Sequence, residues 1–147
     1  MEKYEILPID SATVGSLEQL IPEFDHRFTA AQIQERLDGK KSLLIGAHIG
    51  GTCVGYKVGY EFEPRKFYSW LGGVLPQYRR QGIAFGLMAH QEDWAKRNGY
   101  QLIRVKSENR YKSMLILLIG NGYDIVGVET CGAVHFQKRF LKVPTPN

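Results

Sequence analysis

A chain of 147 residues, 44% hydrophobic and 23% charged, is long enough for one domain over residues 1–147 and too short for two ordinary ones. Its net charge of +4 is uneven: residues 1–64 hold six Lys/Arg against ten Asp/Glu, and residues 65–147 hold thirteen against five. The composition excludes a disordered or collagen-like chain, and no run reaches the ~18 apolar residues of a membrane helix.

The two cysteines, Cys53 and Cys131, have neither CxxC spacing nor neighbouring histidines. This argues against a disulfide framework or a metal site. The first residues lack the basic-then-apolar pattern of a secretion signal. The expectation is a cytoplasmic protein with no membrane partner and no metal. The basic second half directs attention to a polyanion, either nucleic acid or a phosphorylated cofactor.

Residues 4–9 alternate as a first strand, closed by Pro8 and Asp10. A short helix is expected over 16–21, stopped by Pro22. Thr29 and Gln32 form a capping box for a second helix that carries Ile33 and Leu37 on one face and ends at Gly39. Residues 42–49 and 52–62 flank Gly50-Gly51 as a β-hairpin, and residues 66–75 form another strand. Ile83, Leu87, His90 and Trp94 recur at helical spacing over 82–97, with Asn98-Gly99 as the stop. Residues 101–106 alternate as a strand. The apolar run 114–119 is read as a helix because Asn109 precedes it as an N-cap and Gly120-Asn121-Gly122 follows. Residues 124–129 and 133–140 form a last strand pair about Cys131-Gly132, and a short proline-containing tail follows at 143–146. The order βααβββαβαββ predicts an α+β domain with one mostly antiparallel sheet and packed helices.

Chemistry concentrates in residues 72–84, Gly-Gly-Val-Leu-Pro-Gln-Tyr-Arg-Arg-Gln-Gly-Ile-Ala. This is a strand end, a proline-started turn, a basic loop and a helix opening at a glycine. A helix N-terminus offers unpaired N–H groups and partial positive charge. Gly82 and Ala84 leave room for an anion, while Arg79 and Arg80 add charge-assisted donors. The segment is neither a Walker loop nor a dinucleotide GxGxxG.

Val74-x-Pro76-x-x-Arg79-x-x-Gly82-x-Ala84 resembles the V-x-P-x-x-[RQ]-x-x-G-x-[GA] signature of the GNAT superfamily of acyl-CoA-dependent N-acyltransferases, with every specified position met. Asn109 to Tyr123 resembles the family's Asn-started helix ending in Gly-aromatic. The resemblance implies a mixed, mostly antiparallel GNAT-like sheet with helices on both faces, and acetyl-CoA as co-substrate. Val74 and Leu75 would then pair with the pantetheine amides. Arg79, Arg80, Gln81, Gly82, Ile83 and Ala84 would hold the pyrophosphate. Asn109 and Ser113 would flank the thioester end. Arg110 and Lys112 are candidates for the adenosine 3′-phosphate, although a solvated helix face is the readier account of both.

The chain departs from the family in its acid and base. Many members carry a tyrosine four or five residues before the Gly-aromatic pair, where this chain has Leu117 and Leu118, and leucine donates no proton. Others place a glutamate on the strand before the Asn, where the nearest position holds Arg104. The remaining base candidates are Tyr68, on the strand that would carry the cofactor, and Glu61, at the end of the strand before it. His90 reads as a packed histidine, and His135 has no partner foreseeable from sequence.

The expected activity is acetyl transfer from acetyl-CoA to a primary amine of a small molecule or peptide by direct attack. Main-chain N–H at Val74 or Leu75 would stabilise the developing charge. A non-catalytic acyl-CoA-binding regulatory module is the alternative. Nucleic acid is not an expected partner, because aromatics do not interleave with the Lys/Arg residues; a homodimer is open. Glu23, Asp25, Glu61 and Glu63, together with the Asp25-His26 loop, favour a cationic acceptor.

Overall fold

The computed structural model describes residues 3–140, and the tail at 143–146 lies outside them. The strands are β1 (Glu5–Pro8), β2 (Ser42–Ile49), β3 (Thr52–Glu63), β4 (Lys66–Val74), β5 (Leu102–Glu108), β6 (Asp124–Val128) and β7 (Ala133–Arg139). The helices are α1 (Ser11–Glu18), α2 (Ala30–Leu37), α3 (Ile83–Arg97) and α4 (Lys112–Gly120), with a single 3-10 turn at Pro76–Tyr78. The element order agrees with the expectation. One seven-stranded sheet runs β1-β2-β3-β4-β5-β7-β6. The β4–β5 pair is parallel and the other neighbouring pairs are antiparallel. No helix among the described residues is long and apolar enough to cross a membrane.

Local chemistry sets most boundaries. The Thr29 hydroxyl accepts from Gln32 N while the Gln32 side chain accepts from Thr29 N, so the capping box is complete. Helix α1 starts earlier than expected. Asp10 caps it, accepting from Thr13 N at 2.8 Å, so only two residues separate the end of β1 at Pro8 from the helix. Helix α4 starts at Lys112, with Tyr111 in the cap position and no side-chain cap bond. Asn109 is therefore not the cap. Its amide instead donates to Gly132 O at 2.8 Å, tying the end of β5 to the β6–β7 turn.

Helices cover both faces. Val14, Leu17, Ile33 and Leu37 from α1 and α2 pack on Tyr56, Val58 and Tyr60. On the other face Met88 and Ala95 of α3 and Leu118 of α4 pack on Phe67, Ile103 and Phe136. Phe67 and Phe136 are completely buried, each contributing roughly 1.5–3 kcal/mol from burial alone.

Candidate active site

The sheet opens at its centre. Strands β4 and β5 pair only from Lys66↔Leu102 to Ser69↔Val105. Beyond that point β5 stays paired with β7 through Glu108↔Ala133, and β4 stays with β3. The divergence begins at a bulge: Gly59 faces Ser69 and Val58 faces Leu71, leaving Trp70 without a partner. Such an extra residue bends a strand and increases its local twist. From Trp70 to Val74 one edge of β4 thus borders a gap.

The register shows which groups face that gap. Leu75 N donates to Val54 O at 2.9 Å, around the Val74↔Gly55 pair. In an antiparallel ladder this alternation turns the N–H and C=O of Leu71, Gly73 and Leu75 to β3, and those of Gly72 and Val74 outward. Leu75, expected to share the role of main-chain donor, therefore has its amide committed, whereas Val74 keeps its own. The two glycines face opposite layers. A side chain on Gly73 would overlap Ile21 Cδ1 and come within 3.1 Å of Tyr56 Oη, while one on Gly72 would lie 3.3 Å from Lys57 Nζ. The start of the α1–α2 loop thus sits close enough to β4 to require glycine at residue 73.

Past the gap the chain turns through Pro76–Tyr78 into α3. Arg80 and Gly82 both adopt left-handed backbone, with φ of 64° and 79°, and they aim the loop across the start of the helix. Helical bonding begins at Gly86 N to Gly82 O, 2.9 Å. The amides of Arg80, Gln81, Gly82, Ile83, Ala84 and Phe85 precede it and find no acceptor among the described residues. A side chain on Gly82 would meet no protein atom within 4 Å. This is an open cluster of donors at the positive end of a helix dipole. The guanidinium of Arg79 is turned away from it: Nε donates to Val74 O at 3.0 Å and Nη2 pairs with Glu23. Arg80 is exposed and has no ion pair among the described residues.

Asn109 and Ser113 are exposed beyond the end of β5, on the opposite side of the gap. The α1–α2 loop reaches both sides. Its Glu23 holds Arg79, Tyr111 Oη donates to Glu23 O at 3.4 Å, Arg110 pairs with Asp25 at 2.8 Å, and Phe24 packs edge-on to Tyr111. Arg110 also reaches Glu108 at 3.3 Å, so its charge is neutralised locally.

The two base candidates lie on opposite faces of the sheet. Tyr68 sits in the α1/α2 layer among aromatic rings, 5.6 Å from Tyr60 and 6.3 Å from Phe62. Burial, with the neighbouring Tyr60, pushes its phenol above the usual tyrosine range. It is therefore a neutral donor at ordinary pH rather than a ready base. Glu61 points into the α3 layer and accepts from Tyr100 Oη at 2.9 Å. It does not join Tyr68, because the strand alternation that puts Tyr60 on one face puts Glu61 on the other. Tyr123 is also unavailable as an acid: it donates to the buried Glu92 at 2.9 Å, and burial with that carboxylate raises its pKa far above the usual value. His135 is paired with Glu129 at 2.7 Å. Leu118 belongs to the core, as its apolar spacing requires.

The four acids expected to face a cationic acceptor are all engaged. Glu23 holds Arg79, Asp25 holds Arg110, Glu63 pairs with Lys66 at 2.9 Å, and Glu61 serves Tyr100 on the far face. Two basic residues to which sequence reasoning gave no role in the site lie closer in. Lys57 extends over Gly72 in the α3 layer with no hydrogen bond or ion pair among the described residues. Burial pushes its pKa down to about 8, opposed by Glu92. Arg104 stands in register beside Tyr68. Among the described residues no group of three or more His, Cys, Asp or Glu side chains could hold a metal ion.

Solved structures share this architecture closely. The ribosomal-protein-S18-alanine N-acetyltransferase from Escherichia coli superposes with a TM-score of 0.82 at 14% identity over 97% of each chain. Ard1 from Thermoplasma volcanium gives 0.82 at 16% identity over 95% of this chain and 99% of its own. A GNAT family acetyltransferase from Elizabethkingia anophelis with acetyl-CoA bound gives 0.75 at 16% identity over 95% and 100%. At these identities the likeness is one of fold. No curated protein sequence matches significantly. The model of the acetyltransferase (GNAT) family matches residues 11–113, from α1 through the gap and the glycine-led helix to the start of α4, and the chain belongs to that family.

Proposed function

We propose that this chain transfers an acetyl group from acetyl-CoA to a primary amine by direct attack. One observation carries the reading: the free edge of β4 leads directly to a helix start whose first amides have no acceptor. The fit is chemical. A pantetheine arm carries amides that pair with an open strand edge, and a pyrophosphate takes N–H donors at a helix N-terminus. Acetyl-CoA would supply the acetyl group as a thioester, whose sulfur leaves with the bonding pair as the amine nitrogen takes the carbonyl carbon.

The chain's residues divide the work by position. Gly72 and Val74 orient the arm through their outward main-chain groups, and the Val74 amide is the donor for charge developing on the carbonyl oxygen. The amides from Arg80 to Phe85, with the Arg80 guanidinium, take the phosphates. Arg79 acts one step back, bracing Val74 and the α1–α2 loop. Asn109 and Ser113 stand available at the opposite side of the gap. Tyr68, held protonated, orients the incoming amine, which gives its proton to water. The exposed free thiol of Cys131 suits a reducing compartment, the cytoplasm.

A second reading, an acyl-CoA-binding regulatory module, is favoured by the leucines at 117 and 118 and by the locked Tyr123. Thiol release from acetyl-CoA, followed over a panel of amines, separates the two. Amine-dependent release, with kcat reduced on the order of 10²-fold in Tyr68→Phe and acetyl-CoA affinity kept, supports transfer. Tight binding without release from any amine supports the module.

A further inference from the structure

We infer that the acceptor is an amine that also carries a carboxylate on an aromatic or branched apolar body, and that Arg104 receives the carboxylate; this rests on the transfer reading above. The α1/α2 face beside the gap has an aromatic floor. Tyr60 and Phe62 come from β3, Tyr68 and Trp70 from β4, and Phe28 from the α1–α2 loop. Phe28 packs edge-on to Trp70 at 4.9 Å, and Tyr60 meets Trp70 at 5.9 Å. Edge-to-face rings of this kind form an apolar surface that accepts another flat or branched group.

The charge on this face is cationic. The Arg104 guanidinium lies 5.3 Å from the Phe62 ring, and Nη2 donates to Gln137 Oε1 at 2.9 Å. Its Nε is buried with no hydrogen-bond partner, and Nη1 makes no hydrogen bond among the described residues. A guanidinium has five N–H donors and no means of losing its charge, so a half-buried one with spare donors is complete only when an anion or ordered water meets it. Arg36 lies 4.6 Å over Trp70 and donates to Tyr60 Oη at 3.3 Å. It shares the α2 rim with Lys40 and Glu35, which leaves that rim net positive. No carboxylate is ion-paired with Arg104 or Arg36 among the described residues, and Glu23, Asp25 and Glu61 are engaged elsewhere.

A carboxylate on Arg104 would lie in register with Tyr68, one residue short of where β4 and β5 part. The amine of the same molecule would then reach toward the gap while its side group covers the rings. An arginine fork matches a carboxylate through two parallel bonds, which a primary amide or a bare amine cannot reproduce.

The test compares phenylalanine with phenylalanine amide and phenethylamine, and leucine with leucine amide, by thiol release from acetyl-CoA. Binding of N-acetylphenylalanine is measured alongside by calorimetry. The expected result is a kcat/KM at least tenfold higher for the free acids. That preference should vanish in Arg104→Gln, return in part in Arg104→Lys, and weaken in Arg36→Gln, with acetyl-CoA affinity unchanged throughout. Transfer to amides and bare amines as efficient as to the acids overturns the inference and leaves the transfer reading intact. If nothing is acetylated, yet N-acetylphenylalanine binds the parent and loses at least tenfold in Arg104→Gln, the carboxylate site stands and the transfer reading falls. Should Arg104→Gln fail to fold, the parent's acid-to-amide ratio and Arg36→Gln still decide.

Discussion

Gly82 allows the phosphate site to be tested against a matched control in the same molecule. Its φ is 79°, and a methyl group there would meet no protein atom within 4 Å. Gly99, which follows the C-terminus of α3, has a φ of 82° and equally open surroundings. Replacing either with alanine imposes the same left-handed strain, about 1–2 kcal/mol. In a chain of this size that is a fall in melting temperature of roughly 3–6 °C. On stability alone the two variants should be indistinguishable.

They should part on ligand. The methyl of Gly82→Ala projects into the space before the amides of Ile83, Ala84 and Phe85, where only a bound group is there to meet it. Displacing a pyrophosphate by a methyl radius costs at least one charge-assisted hydrogen bond, ~1.5–3 kcal/mol. The expected loss is therefore at least tenfold in acetyl-CoA affinity by isothermal calorimetry, and larger in Gly82→Leu. Gly99→Ala should titrate like the parent. Equal affinity in the Gly82 and Gly99 variants, with equal melting temperatures, would refute the assignment of the phosphate to this helix start.

Three further outcomes follow from the packing. Tyr123→Phe leaves Glu92 with Lys138 alone, at 3.0 Å; it should cost ~1–2 kcal/mol of stability in urea titration while kcat stays at the parent value, and a collapsed kcat would make Tyr123 the acid. The double variant Cys53→Ser, Cys131→Ser should retain transfer with no acyl adduct on the parent by mass spectrometry, because burial holds the Cys53 thiol above its usual pKa and thus protonated. Lys57, pushed down to about 8 by burial, releases its proton in the folded chain before the unfolded one. Stability should then rise from about pH 8 toward pH 10, by up to ~3 kcal/mol, and Lys57→Met should flatten that rise. Above pH 10 the trend should reverse, since Tyr56 and Tyr123 have phenols raised by burial and by Glu18 and Glu92 and ionise first in the unfolded chain.

What was readable in the sequence was local. The Thr29–Gln32 box, the Gly50-Gly51 hairpin and the glycine start of α3 depend on residues a few positions apart, and each appears where expected. Helix α1 was placed late because Asp10, just past the end of β1, reads equally as a strand stop and as a helix cap, and residue type does not separate the two. That Tyr68 and Glu61 fall on opposite faces was not legible for a different reason: it depends on the cross-strand register Tyr60↔Tyr68, which residue type does not record. Lys57 was not singled out, and Arg104 only as the residue standing where relatives carry a glutamate, because their lack of an ion pair is a property of the assembled layers.

Charge counting says nothing of which charges remain free beside the gap. The acidic first half reads as an attraction for cations only if its carboxylates are free, and Glu23 and Asp25 are not. Their partners, Arg79 and Arg110, lie 56 and 85 positions along the chain, on the two sides of the gap. Exposed pairs of this kind contribute little to stability, ~0–1 kcal/mol each, so their consequence is geometric. Together with Tyr111 on Glu23 O they hold one loop across a mouth that β4 and β5 leave open, and the same loop delivers Phe28 to the aromatic floor. With Glu23 and Asp25 spent on that brace, Arg104 and Arg36 are left without an ion pair on the α1/α2 face beside the gap among the described residues. The sign of the face we propose for the acceptor is therefore set by which charges the fold leaves unpaired, not by the net charge of the segment that supplies them.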